Sequence, residues 1–561
     1  MILHCAEFFG VRCATAHSAA TKNLKLAKGL NLMRNKLSIA EAGTSSRRHL
    51  NAKLLTINTS CDNIITRCNM LFIDQLDRIT SEYPDKVAIV DKEKSITFSE
   101  LRARAMSLAS EIHKVHPQTK RPIMVETDRL LETIISFFAV LYSGNFYVPI
   151  DAAMPRERIE TIKKRLESTL GIYHTKNIFE DYALHYDYDH DYGCDDLALD
   201  DIRSKMIDTD PVYVLFTSGT TGEPKGVVIS NFMLVDLQDW LYKTLKINEN
   251  DRLANQTPLF FDASLKELCL FTKTGATLYL MDPKDFLFPV KVVDYLNENR
   301  ITAILWSVSA LNILANSNVF DIDKPKYIRL VTFAGEQMSA QKLNIWRKAV
   351  DAEYFNLYGP TEATCDCCYY KVDRDFQDDE IIPIGKACEN MEVMILDGER
   401  EADEGELVIR GRGVSYGYYN KLDQTEKAFV QNPLNKAYRE IVYRSGDFVR
   451  RNKFGEIEFL ARKDNQVKVF GHRIELDEIE RQVYAMGIHE ASAVFDKENE
   501  IIILFYSGKE FSRKEFKDFI LERLPKYMLP SKFVHMDALP KTQNTKIDKK
   551  RLLEIYERGE V

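Results

Sequence analysis

The stretch Tyr213–Asn231, YVLFTSGTTGEPKGVVISN, has the residue types needed to hold a polyphosphate. An apolar strand-like run, Val212 to Phe216, leads into Thr217, Ser218, Gly219, Thr220, Thr221, Gly222, Glu223, Pro224, Lys225 and Gly226, and a β-branched run, Val227 to Ile229, follows. Glycines let backbone N–H groups turn toward an anion, the hydroxyls add donors, and Lys225 adds positive charge. A Walker loop needs Gly-Lys-Ser/Thr at the mouth of a helix. Here Pro224 precedes Lys225, Gly226 follows it and no helix start comes next, so a P-loop NTPase is excluded. Taken alone, the segment also fits a polar hairpin tip, because Gly, Ser and Thr clusters mark ordinary turns.

The elements that must position this loop belong to a large chain. Its 561 residues, 45% hydrophobic, are enough for three or more structural units. A net charge of −8 argues against nucleic acid as a partner. The charge is uneven: residues 1–69 carry ten Lys/Arg against three acids, leaving the remainder near −15. That basic segment resembles a transit peptide in composition and lacks the apolar core of a secretory signal. Met70, however, opens a well-patterned domain, so 1–69 is read as a poorly ordered or mis-started leader. Ten cysteines in no regular framework fit a reducing, cytoplasmic setting, and Cys365, Cys367 and Cys368 lie too close together for a zinc set. The most apolar span, Ile134 to Leu141, is too short to cross a bilayer, and no membrane insertion is expected.

From Met70 onward helices and strands alternate. Helical spacing runs through Leu101, Ala105, Leu108, Ala109 and Ile112, and again through Leu130, Ile134, Phe138 and Leu141; short β runs follow at Tyr147–Ile150, Thr302–Leu305, Ile328–Phe333 and Tyr354–Leu357. This is α/β sequence. The expected organisation is a large domain over 70–463, with α/β subdomains and a β-rich subdomain around Glu392–Arg410, and a small α+β C-terminal domain over 464–561.

Ten segments, in order, carry a resemblance: ITFSEL (96–101), LYSGNFYVPID (141–151), the glycine-rich loop, FFDASLKE (260–267), NLYGPTEAT (356–364), GELVIRGRGVSYGYYN (405–420), YRSGD (443–447), ARKDNQVKVFGHRIELDEIE (461–480), LPKYMLP (524–530) and LPKTQNTKIDKK (539–550). The sequence resembles the adenylate-forming enzymes, most of all the stand-alone adenylation domains of nonribosomal peptide synthesis and D-alanine–carrier protein ligase. The resemblance implies a mobile C-terminal lid domain, ATP and Mg2+ as cofactors, and attack of a carboxylate on the α-phosphate to give an acyl adenylate and pyrophosphate. Two anions must meet, so such a site needs cations and aligned donors more than a base.

By resemblance, Lys546 is the catalytic cation that bridges the carboxylate and α-phosphate, although Thr545 stands where the family usually has glycine. Tyr358, followed by Gly359, matches the adenine-stacking aromatic, Thr361 the phosphate-side hydroxyl and Glu362 the magnesium-linked carboxylate. Asp447, an aspartate beside a strand that would by itself be read as solvated, matches the ribose-binding residue, and Arg462 adds a ribose contact. Asp464 falls at the hinge of the lid, and Gly471 in the loop that replaces Lys546 for thioester formation.

Asp262, just after Phe260 and Phe261, is costly to bury unless it meets a cation. In amino-acid-activating relatives it pairs with the substrate α-ammonium. The matching pocket lining is Ala263, Lys266, Leu305, Thr332, Ala334, Leu357, Cys365 and Asp366. Lys266 could pair with a side-chain carboxylate, as in glutamate or a similar polar substrate, or Lys266 and Asp366 could neutralise each other. The implied acceptor is the phosphopantetheine thiol of a separate carrier protein, since the final motif ends at Lys550 and the chain at Val561. Coenzyme A, as in acyl-CoA synthetases, is the alternative acceptor, and a nucleotide-binding inactive relative the alternative class.

Overall fold

Helices and strands alternate into two sheets that share one layer of helices. The structure, a computed structural model, describes residues 71–560 except 93, 129–130, 168–169, 181–182, 219–222, 463–465, 470–471, 498 and 542–546. The expectations for 1–69 therefore lie outside the described residues. Met70–Val561 clusters as one compact unit.

The first sheet has nine strands. Its interior is parallel, running Glu353–Tyr358, Leu330–Ala334, Ala303–Ser307, Arg252–Asn255, Thr277–Leu280 and Val87–Asp91, and antiparallel strands close both edges. The second sheet has six strands, among them Pro122–Thr127, Phe146–Asp151 and the hairpin Pro211–Thr217/Lys225–Ser230. Helices Phe72–Glu82, Phe98–Val115, Leu131–Tyr142, Asn231–Leu245 and Leu265–Thr274 fill the space between, because one core cluster takes residues from all of them and from both sheets. Parallel strands covered on both faces read as near-continuous apolar runs, as AILWS and LVTFA do.

Local sequence explains several of these elements. Thr97 caps Phe98–Val115 by accepting from the Glu100 N–H, and the Glu100 carboxylate returns to the Thr97 N–H. Leu131–Tyr142 departs from its amphipathic spacing. All twelve of its residues are buried, Glu132, Thr133 and Ser136 included, because it sits inside the shared layer rather than at its edge.

A six-stranded antiparallel sheet containing Met391–Asp397, Glu404–Gly411, Ile441–Arg451 and Ile457–Arg462 follows. Beyond it come the hairpin Gln466–Val469/His472–Glu475 and the three-stranded sheet Ile488–Asp496, Ile501–Gly508 and Lys532–His535. Helices Leu476–Tyr484 and Arg513–Leu521 pack there around a separate core that includes Ile479, Leu504, Phe516 and Met528. One fully buried ion pair joins this C-terminal part to the large one: Arg158 donates to Glu478 at 2.6 Å, with side chains 6% and 1% exposed.

Candidate active site

Thr217 lies opposite Lys225 across the hairpin, so the strands deliver the two flanks of the glycine-rich loop. Ser218 is buried and its hydroxyl donates to the Arg473 carbonyl at 2.9 Å. Gly219, Thr220, Thr221 and Gly222 lie outside the described residues. The Lys225 ammonium stands 5.3 Å from the centre of the Tyr418 ring. Chain 415–419 runs along strand Lys225–Ser230: the Tyr419 N–H donates to the Gly226 carbonyl at 2.7 Å and the Val228 N–H to the Gly417 carbonyl at 3.1 Å. This backbone zip carries Tyr418 to Glu362, whose Oε1 accepts from the phenol at 2.9 Å.

Glu362 is presented by a tight loop after strand Glu353–Tyr358. The Cys367 N–H returns to the Tyr358 carbonyl at 2.8 Å, and Thr364 and Cys365 take left-handed conformations, φ 56° and 72°, which side-chain-bearing residues rarely adopt. Gly359 is required, because a Cβ there would lie 2.3 Å from the Cys365 carbonyl oxygen. The 3-10 turn Thr361–Ala363 then aims the Thr361 hydroxyl at Asp262, 2.5 Å from Oδ2. Asp262 opens its own 3-10 turn ahead of helix Leu265–Thr274.

Asp447 is not a solvated flank. It sits inside strand Ile441–Arg451 at 5% exposure, cross-strand from Arg462, which donates to Oδ1 at 2.5 Å, and Oδ2 accepts from the Tyr358 phenol. Two residues more than a hundred positions apart, Tyr358 and Arg462, thus converge on one carboxylate.

Two cations that sequence reasoning passed over complete this side. Lys468 and Arg473 are cross-strand partners in the C-terminal hairpin and share a face. Arg473 donates to Glu362 Oε2 at 2.8 Å. Burial works to raise the Glu362 pKa, but the guanidinium outweighs it and holds the carboxyl below its ordinary value. Burial pushes the Lys468 ammonium below its usual range, against the pull of Asp447 and Asp262. His472, pushed down to about 4 by burial, stacks on Tyr527 at 3.9 Å and meets Phe261 edge-on at 4.7 Å. The signal was available in HRIEL: charged residues at paired hairpin positions fall on one face. Lys546, Asp464 and Gly471 lie outside the described residues.

The remaining residues named from sequence lie on the first sheet, the helix after Asp262 and the loop after Tyr358. Parallel register places Leu305 beside Thr332 and Ala334 beside Leu357, all on the sheet face toward the shared helix layer. Ala263 is half-buried, and Lys266, Cys365 and Asp366 are buried. Burial works against the Lys266 charge, but Asp366 foremost, then Cys365, Glu267 and Asp262, keep its pKa above the ordinary value. Burial raises the Asp366 carboxyl against that same lysine. Lys266 and Asp366 each feel the other as the foremost nearby charge, in keeping with the mutual neutralisation entertained from sequence, without forming an ion pair within 4 Å among the described residues. Asp366 Oδ2 and Thr332 Oγ1 are buried without a hydrogen-bond partner.

Among the described residues no three His, Cys, Asp or Glu side chains gather as a metal site. A single carboxylate is nevertheless the protein share that Mg2+ takes when phosphate oxygens and water supply the rest, and Glu362, a fully buried oxygen donor, fits that chemistry.

The strands flanking a glycine-rich loop, a carboxylate paired beside an aromatic, and polar residues at the carboxyl ends of parallel strands are in keeping with a nucleotide-using enzyme. The AMP-binding enzyme family profile matches residues 76–419, and the chain belongs to that family. It is 32% identical over 491 residues to tyrocidine synthase 1 of Brevibacillus parabrevis, covering 84% of this chain and 44% of that one. It is 31% identical over 510 residues to zwittermicin A synthase ZmaJ of Bacillus cereus, covering 86% and 94%. The chain spans less than half the length of tyrocidine synthase 1. Its fold superposes on holo-PA1221, a nonribosomal peptide synthetase protein containing adenylation and PCP domains, with a TM-score of 0.76 at 24% identity over 87% of this chain and 84% of that one. Among the described residues no helix is long and apolar enough to cross a membrane.

Proposed function

We propose that this chain activates an amino acid as its aminoacyl adenylate at the expense of ATP, releasing pyrophosphate, and passes the acyl group to the phosphopantetheine thiol of a carrier protein acting in trans. One observation carries it: Asp262, fixed by the Thr361 hydroxyl at 2.5 Å, places a carboxylate between the nucleotide side of the site and the pocket, where an α-ammonium needs its counter-charge. The resemblance to peptide synthetases, and to a protein that joins adenylation and PCP domains, supports both the substrate class and the carrier.

In this function Thr217–Lys225 holds the β- and γ-phosphates, Tyr358 lies against the adenine, and Asp447 with Arg462 holds the ribose. Thr361 orients Asp262 and the α-phosphate edge. Lys546 neutralises the carboxylate and α-phosphate as their charges merge. Mg2+, held through Glu362, would supply charge neutralisation on the phosphates. Asp464 acts as the hinge and Gly471 as part of the loop that admits the thiol.

ATP–pyrophosphate exchange over an amino-acid panel tests this. Amino-acid-dependent exchange is expected, reduced about 100–1000-fold by Lys546→Ala with circular dichroism unchanged. Exchange that survives Lys546→Ala, or none with any amino acid, overturns the mechanism. Loading of coenzyme A in place of a carrier would overturn the acceptor alone.

A further inference from the structure

Resting on the nucleotide site proposed above, we infer that Arg165 and Lys421 are positioning residues for the glycine-rich loop: acting through Glu223, they hold the flank that carries Lys225 where it meets the β- and γ-phosphates of ATP. Both lie outside the ten segments that carry the resemblance. The Arg165 guanidinium donates from Nη2 to Glu223 Oε2 at 2.7 Å, and the Lys421 ammonium donates to the same oxygen at 2.9 Å. The two cations come from segments 58 and 198 positions away from Glu223. Contacts this short are charge-assisted, and bonds from Lys421 and then Arg165 hold the Glu223 carboxyl below its ordinary value, so it accepts them as a carboxylate.

Stability does not account for this arrangement. Glu223 is 52% exposed, and an ion pair with so exposed a partner contributes little. Arg165 is only 14% exposed, and its Nη1 is buried with no hydrogen-bond partner among the described residues. The desolvation of that guanidinium outweighs what such a pair contributes. What the pair does fix is place. Arg165 stands in the last turn of helix Arg156–Leu166, whose Ile159, Ile162 and Leu166 share one core cluster with Val214 of the strand leading into the loop. Asn420 donates to the Arg165 carbonyl at 3.0 Å, so the segment bearing Lys421 is tied to the same helix end. Lys225 lies opposite Thr217 across the hairpin, so the strand fixes one end of 223–225 and the two cations fix the other, with Pro224 locked in φ between them. A support of this kind lowers the ordering cost a ligand meets on binding. The charges agree, because a bare carboxylate two residues from Lys225 would oppose a polyphosphate, whereas two cations on it leave the cluster net positive.

The test is the equilibrium binding of ATP and of AMP, by isothermal titration calorimetry, to the intact chain and to its variants. AMP keeps the adenine, ribose and α-phosphate but lacks the two phosphates that this flank meets. Arg165→Ala and Lys421→Ala are each expected to weaken ATP about tenfold, the order of one charge-assisted hydrogen bond, with AMP held within about twofold. In a Glu223→Ala background, Arg165→Ala should add less than about twofold, because the two residues act as one unit. ATP affinity unchanged in both single variants overturns the inference. ATP and AMP weakened alike also overturns it, since the tether would then serve the fold as a whole. A tenfold loss that persists in the Glu223→Ala background overturns it as well, because Arg165 would then act on the nucleotide directly. Absence of amino-acid-dependent exchange overturns the aminoacyl-adenylate function alone, since the comparison of ATP with AMP is read without an amino acid.

Discussion

The proposed nucleotide side and the proposed amino-acid side of this site share one turn, Tyr358–Asp366, and treat their charges in opposite ways. On the nucleotide side every carboxylate is engaged by the protein itself: Asp447 by Tyr358 and Arg462, Glu362 by Arg473 and Tyr418. On the amino-acid side Lys266 and Asp366 are buried within each other's field and make no contact ion pair. The engaged carboxylates draw partners from distant chain segments, including the C-terminal hairpin that carries Arg473. Leu305, Thr332, Ala334 and Leu357 sit on strands and Lys266 on a helix of the large part, while Ala263 lies in a 3-10 turn and Cys365 and Asp366 in the loop after Tyr358. One set of charges is thus neutralised across two core clusters of the fold, and the other lies within the large part alone.

The contrast can be broken most strongly at the joint holding the hairpin in place. Arg158→Ala leaves Glu478, 1% exposed, without its cation, and should cost about 3–5 kcal/mol in chemical unfolding. The double replacement Arg158→Met, Glu478→Leu should stay within about 1 kcal/mol of the parent, because apolar groups of similar volume substitute for a buried pair. A small loss for Arg158→Ala would mean that the hairpin is held by its aromatic contacts instead. Next in size, Glu362→Gln should lower amino-acid-dependent exchange about 100-fold, near 2.7 kcal/mol, while leaving the ranking of amino acids unchanged. A changed ranking would show that the two sides are not separate.

The smallest effect concerns acidity. His472 is neutral in the folded state with its pKa near 4, below the unfolded value, so the unfolded chain binds more protons between about pH 4 and 6.5. Its contribution to stability is complete above that window and falls as pH is lowered through it. Proteolysis within 466–475 should therefore accelerate from pH 7 to pH 5, and His472→Phe should remove much of that acceleration.

The alternation of elements, the hairpin around the loop and the parallel strands under the pocket were legible because apolar runs and glycine punctuation are local signals. Lys468 and Arg473 were not, since a charged residue in a short strand reads as solvent-facing until its partner strand and the surface beneath are known. Asp447 posed the same difficulty, and only the motif around it pointed inward. Leu131–Tyr142 kept its helical period, but its complete burial depends on a second sheet lying over the first, which no single segment encodes. The Lys266–Asp366 relation needed coordinates, because two opposite charges in one pocket say nothing of whether they touch.

The zip between 415–419 and strand Lys225–Ser230 gives Tyr418 redundant support. Its main-chain bonds run through Gly226, Val228, Gly417 and Tyr419, and the hydroxyls of Ser415 and Thr425 add bonds to the Val228 carbonyl and the Tyr418 N–H, so Tyr418 is held against Glu362 from several points. Tyr416, 48% exposed on the outer face, ties the same stretch down at another point, its phenol donating to the Thr209 carbonyl at 3.3 Å. Substitutions along 415–419 that leave these bonds in place are therefore expected to leave the phenol on Glu362.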